Sequence, residues 1–257
     1  EGIKCQFAVT ATGTGTADYI SLLAINLSDD VTENTDWFFN ESATDLGLTT
    51  TFQDGGSVTF TPGTANDDWL VLSYAQSVIT AGGPLTISRI DRSGEAASSL
   101  PEARAQLIGT AEFSIFPLAR VFTLGTSSNT FKEQSALDTG TSGTRKHSAI
   151  FVLNLNKFRN HAFAYTEADA ALSATDYATQ LQTLSITPDI TGDVWLGAYW
   201  GFDINNGARE AEFRLQVGNS DQPAGQTTSN FQFPRRDNAP ATGEHPMILS
   251  TLPSLAA

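Results

Sequence analysis

The chain has 257 residues, 40% of them hydrophobic and 16% charged, a balance that excludes a disordered chain and permits a proper core in one or two domains. Its net charge of −14 repels polyphosphates, and no basic run longer than Arg145-Lys146 or Arg235-Arg236 interrupts it, so nucleic acid is not an expected partner. No stretch approaches the roughly 18 consecutive apolar residues of a membrane helix, and the lone Cys5 cannot form an internal disulfide.

The chain is rich in Thr, Ser, Gly and Phe, and its apolar residues fall in short runs, which predicts an all-β protein. In the first half, strands are expected near 3–12, 19–27, 36–40, 46–52, 56–62, 68–79, 84–91 and 111–117, a series that fits a jelly-roll-like β-sandwich. Val58 and Phe60 alternate with Thr59 and Thr61, the pattern of a half-buried strand. By contrast Ile20–Leu27, Trp69–Tyr74 and Ile150–Leu155 are almost continuously apolar, as for central strands covered on both faces. Turn residues punctuate the series at Asp54-Gly55-Gly56, Thr61-Pro62-Gly63, Gly82-Gly83-Pro84 and Asn205-Asn206-Gly207. The one predicted helix is short, Ser99–Leu107, with Pro101 in its first turn. Gly125–Gly143 reads as a Thr/Ser/Gly-rich connector or long loop.

An internal repeat organises the rest. Val58-Thr-Phe-Thr-Pro62 and Asp67-Asp-Trp-Leu70 return as Leu184-Ser-Ile-Thr-Pro188 and Asp193-Val-Trp-Leu196 at a constant offset of 126 residues. Upstream, Ala24–Leu27 matches Val152–Leu155 after a two-residue change in the intervening loop. The expected organisation is two tandem duplicated jelly-roll-like sandwiches, 1–118 and 119–257, the second carrying a C-terminal extension.

Chemistry-bearing patterns are sparse. His147, His161 and His245 lack metal-ligand spacing, and Gly13-Thr-Gly15 and Gly140–Gly143 lack the lysine and helix of a phosphate loop. Glu41 and Glu167 are repeat-equivalent, as are Asp67 and Asp193, which favours turn and capping roles over a facing pair of catalytic acids. Asp29-Asp30, Asp67-Asp68 and Asp203 with Asn205 could each lend oxygens to calcium, but none completes a recognisable loop. No catalytic, metal or cofactor residue is assigned, and no enzyme activity is expected.

Trp69 and Trp195 each open an apolar strand after a polar turn, which places the indole at the end of a core with its N–H near a backbone partner. A surface site for a glycan or receptor would instead use Trp37 with Asp36 and Asn40, together with Trp200. Near the C-terminus, prolines flank an apolar run, and Pro246, Met247, Ile248 and Leu249 are either an extended assembly arm or a return strand of the second sandwich.

The succession of an Ala-Ile-Asn-Leu type strand, a Phe/Tyr-x-Glu segment, Val-Thr-Phe-Thr-Pro, a polar turn and Asp-x-Trp-Leu-x-Leu-x-Tyr resembles jelly-roll-like structural proteins of tailed bacteriophages. The resemblance covers 19–90 and 147–217 and implies a non-enzymatic virion protein that decorates or cements the capsid or forms part of a fibre or tail appendage. Its implied partners are other virion proteins and further copies of the chain. The alternative class is a carbohydrate- or receptor-binding sandwich module.

Overall fold

Strand pairing between Trp37 and Asn154 follows a nested order. In a computed structural model of the chain, the described residues are 31–79, 85–94, 102–106, 112–140, 143–158, 160–164, 184–187, 191–193, 196–202, 215–217, 220–222, 245–251 and 254–255. Nine strands fall in the first part: β1 (Trp37–Ser42), β2 (Leu46–Leu48), β3 (Gln53–Phe60), β4 (Asp67–Ile79), β5 (Leu85–Arg92), β6 (Glu102–Gln106), β7 (Glu112–Leu124), β8 (Asn129–Leu137) and β9 (Gly143–Asn154). Both β1 and β2 pair with β9, so they act as one interrupted strand. Counted that way there are eight segments, and the first pairs with the last, β3 with β8, β4 with β7 and β5 with β6, all antiparallel. Such nesting is one long hairpin ribbon. Pairing of β4 with β9 and of β5 with β8 rolls the ribbon into two sheets, sheet A in the order β1-β9-β4-β7 and sheet B in the order β3-β8-β5-β6. Two sheets wired like this are a jelly roll, and the all-β sandwich expected from the sequence is the fold.

The core between the sheets is aromatic at one end. Phe60 and Phe131 from sheet B meet Trp69, Phe122 and Val152 from sheet A, with Phe38 stacked on Phe60 at a centroid distance of 4.6 Å. Trp69 is buried as predicted, but its Nε1–H finds no hydrogen-bond partner among the described residues, so the expected backbone partner is not there. Burial of these rings is worth about 1.5–3 kcal/mol per large side chain and dominates the stability of this end.

Several expectations are corrected. The boundary between 118 and 119 falls inside β7, which runs without a break from Glu112 to Leu124 along β4. Strands β8 and β9 then complete the two sheets, so the sandwich extends to Asn154, and Val152, assigned by the repeat to a second copy, is the central register partner of Val71. The connector expected over Gly125–Gly143 contains β8, where Phe131, Glu133 and Ser135 face the core and Thr130, Lys132 and Gln134 face outward. Its strand period was concealed because two of the three inward residues are polar. The predicted helix at Ser99–Leu107 is replaced by β6, whose pairing with β5 in the register Leu85↔Gln106 to Arg89↔Glu102 satisfies a sheet edge and overrides local helix propensity.

Beyond Asn154 a short 3-10 turn, Leu155–Lys157, is capped by the Asn154 side chain, which accepts from Asn156 N at 2.9 Å. Leu184–Thr187, expected to repeat the strand of Val58, is irregular, and Leu184 is 41% exposed. Further strands are β10 (Gly192–Asp193), β11 (Leu196–Phe202), β12 (Leu215–Val217), β13 (Ser220–Gln222), β14 (His245–Thr251) and β15 (Ser254–Leu255), joined pairwise as β10–β15, β11–β14 and β12–β13. Strand β14 runs beside β6 and β7. The predicted strands at 3–12 and 19–27, the Asn206-Gly207 hairpin, Glu167, Pro188 and Trp195 lie outside the described residues.

Candidate functional site

The residues proposed from sequence for a glycan or receptor contact do not converge. Asp36 is only 7% exposed and turned inward: its carboxylate accepts from Thr32 N at 3.0 Å and pairs with Lys157 Nζ at 3.1 Å, while its carbonyl accepts from Asn154 N at 2.7 Å. It therefore closes the turn before β1 and has no oxygen aimed at a ligand. Asn40 accepts from Ser57 N at 3.0 Å, tying β1 of sheet A to β3 of sheet B. Trp37 is half-buried against Phe151, at a centroid distance of 6.2 Å. Trp200 lies in β11 opposite Met247, in a different sheet from Trp37. The binding constellation is thus dispersed, because each member is consumed by strand pairing or turn closure.

The C-terminal segment is likewise placed. Pro246, Met247, Ile248 and Leu249 pair in register with Gly201, Trp200, Tyr199 and Ala198 of β11. Within the chain these residues form one side of a two-stranded antiparallel ladder. The acids singled out from the sequence make contacts within the chain. Asp67 Oδ2 accepts from Asn154 Nδ2 at 2.9 Å, and Asp68 accepts from Thr123 Oγ1 at 2.6 Å and lies 3.3 Å from His161 Nε2. Glu41 stands at the sheet surface 3.5 Å from His147 Nε2.

What the strands do bring together is an apolar outer face on sheet A. Because alternate residues of each strand share a face, the registers across β1, β9, β4 and β7 line up in rows. One row is Trp37, Leu153, Leu70 and Val121, and the next is Phe39, Phe151, Leu72 and Ala119. The first row is covered within the chain by Val31, Leu155 and Phe158. The second is covered less: Phe151 and Leu72 pack against the same cluster yet stay partly exposed, as does Ala119, and Phe39 at the end of the row is 52% exposed. A third row, Glu41, Ala149 and Tyr74, ends in the His147 ring, 5.6 Å from Tyr74.

Sheet B is built the opposite way. Its outer face carries Asp54, Lys132, Gln134, Arg89 and Asp91 in one network, with Lys132 Nζ donating to Asp54 Oδ2 at 2.6 Å, Gln134 Nε2 to Asp54 Oδ1 at 2.6 Å, and Arg89 to Gln134 Oε1 at 2.7 Å. Arg89 also lies over the Phe52 ring at 3.7 Å. Partial burial raises the Asp54 carboxyl, but the hydrogen bonds from Lys132 and Gln134 and the charges of Lys132 and Arg145 outweigh it and hold the group below the usual carboxylate range. The hydrogen bond to Asp54 in turn raises Lys132.

Between the sheets lies a polar cluster that sequence reasoning missed. Glu133 of β8 and Arg145 of β9 form an ion pair at 3.2 Å with both side chains buried, and Ser88 and Ser135 donate to the same carboxylate. The one sequence signal was Glu133 standing two residues from Phe131 and from Ser135, on the inward register of an alternating run.

The strand wiring and the faces define an all-β jelly-roll sandwich with one apolar and one polar outer face. No protein-family profile matches the chain, and no curated protein is significantly similar to it. Among solved structures it is similar to a chain of the T13 particle of infectious bursal disease virus, at 11% identity and a TM-score of 0.34, covering 53% of this chain and 36% of that one. A structure of the Gx strain of the same virus gives 12% identity and a TM-score of 0.31, covering 49% of this chain and 31% of that one. The TNF protein Eiger from S. frugiperda is matched over 99% of its length and 53% of this chain, at 7% identity and a TM-score of 0.28. The chain spans about a third of the length of the viral chains it matches. The jelly-roll assignment rests on strand order, not on these likenesses.

Proposed function

We propose that the chain is a non-enzymatic structural protein of a virus particle, and that the outer face of sheet A packs against neighbouring subunits of that particle. The observation that carries this reading is the contrast between the two outer faces. A sandwich that works as an isolated unit covers its core with sheets that are polar outside, as sheet B is, whereas the Phe39–Phe151–Leu72 row leaves apolar surface that an adjoining subunit would bury. The resemblance in sequence to jelly-roll proteins of tailed bacteriophages gives the finer version, a capsid-decorating, cementing or fibre component located in the virion, whose partners are other virion proteins and further copies.

The test is assembly with and without the apolar row. Wild-type chain should oligomerise or join particles, and Phe39→Lys or Phe151→Lys should abolish this while leaving the melting transition cooperative. A wild-type chain that stays monomeric at high concentration and joins no particle would end the proposal.

A further inference from the structure

The assembly reading leaves the buried polar cluster unused, although the chain is shaped around it. Glu133 is 0% exposed and Arg145 3%, and they come from different sheets. Arg145 Nη1 donates to Glu133 Oε2 at 3.2 Å and to Gln53 O at 3.1 Å, and Nη2 donates to Asp54 O at 2.7 Å. Ser88 Oγ of β5 donates to Glu133 Oε1 at 3.1 Å, and Ser135 Oγ donates to the same oxygen. One carboxylate therefore links β5, β8 and β9, and its arginine adds β3.

The backbone makes room for the pair. The register of β3 against β8 shifts between Asp54 and Ser57, which leaves Gly55 and Gly56 in a bulge over the carboxylate. A Cβ at Gly55 would stand 2.1 Å from Glu133 Oε2 and 2.5 Å from Ser148 Oγ, so only glycine fits there. At the same level β9 is bulged against β4 between Gln76 and Ser77, where Arg145 enters. Two bulges converging on one ion pair are a built pocket for a charged group.

We infer that Glu133 is an internal proton-binding site, which switches the link between the sheets from an ion pair to a neutral hydrogen-bonded network as the surroundings acidify. The charge facing it is Arg145 from β9. Asp54 of β3, Arg89 and Asp91 of β5 and Lys132 of β8 belong to the outer network of sheet B, and β4 presents Ser73, Ala75 and Ser77. Burial pushes the Glu133 carboxyl up; the Ser135 hydrogen bond, the Arg145 charge and the Ser88 hydrogen bond pull it down; burial wins and leaves it at about 7. Once protonated, Glu133 can donate to a serine oxygen while Arg145 keeps the carbonyls of Gln53 and Asp54, so the sheets stay joined.

The folded value lies above the ordinary 4.5, so the folded chain takes up this proton before the unfolded chain does. The corresponding stability is fully present below about pH 4.5 and is lost as pH rises through about 7. Following the Glu133 side-chain carboxyl by carbon NMR from pH 4.5 to 8.5 should show a midpoint near 7. Ser135→Ala, which removes a donor to the charged form, should move that midpoint upward, and Glu133→Gln should flatten the pH dependence of the melting temperature over this range. A carboxyl already ionised at pH 5, a midpoint indifferent to Ser135→Ala, or an unchanged melting slope in Glu133→Gln would each overturn the inference. If Glu133→Gln does not fold, the wild-type and Ser135→Ala titrations decide it.

Discussion

The outer faces of sheets A and B share one core and one wiring, yet one is lined by Phe39, Phe151 and Leu72 and the other by Asp54, Lys132, Gln134 and Arg89. Alternation along each strand makes this possible, since inward and outward sets are independent once the register is set. The core therefore constrains only half of each strand, and the other half is free to carry a solvent face or a contact face. The difference teaches that two sheets with one core can present outer faces of opposite character, because the residues on those faces are ones the core does not need.

Substitutions can break or sharpen that contrast, and the largest effect belongs to neither outer face. Phe131→Ala, in the aromatic end of the core, should cost about 3–5 kcal/mol in a denaturant melt, with the loss appearing whether or not the chain assembles. Gly55→Ala comes next: with its Cβ forced onto the Glu133 carboxylate, it should cost about 1–3 kcal/mol or more. Gly47→Ala, where an added Cβ meets nothing within 4 Å, is its control and should stay within about 0.5 kcal/mol.

Phe39→Lys should change folding stability by less than about 1 kcal/mol, because the ring is already half in solvent, while removing self-association measured by sedimentation. Lys132→Ala, on the outer face of sheet B, should leave both assembly and stability within about 0.5 kcal/mol, as expected for an exposed ion pair. An assembly defect in Lys132→Ala equal to that of Phe39→Lys would erase the distinction between the faces. Glu41→Gln should alter no hydrolytic activity if the chain is the non-enzymatic particle protein proposed above; the side chain lies at the sheet surface, 3.5 Å from His147, and a glycan turnover lost in this variant would overturn that reading.

Much of the fold was legible in the strand patterns. The continuous apolar run Trp69–Tyr74 does lie in a central strand, with Trp69 and Val71 in the inter-sheet core and Leu70 in the outer cluster, and Ile150–Leu153 lies the same way beside it, but the outer cover is partial, since Leu72 and Phe151 stay partly exposed. The candidate site was hardly legible. Asp36, Trp37 and Asn40 are close in sequence and look like a ligand cluster, but strand alternation and turn closure send them to different surroundings.

Composition, periodicity and turn residues by themselves determined the all-β class, the placement of β3, β4 and β5, and Trp69 as a core residue, because those are local properties of alternating and apolar runs. Pairing was beyond them. A strand's partners are chosen by long-range hydrogen bonding and burial, so only the tertiary structure decided that β8 and β9 close the first sandwich, that β6 is a strand and not a helix, and that Met247–Leu249 pairs with β11. The burial of Glu133 against Arg145 was decided there as well, since a carboxylate can occupy a core only where another strand delivers its counter-charge and a glycine bulge leaves it space.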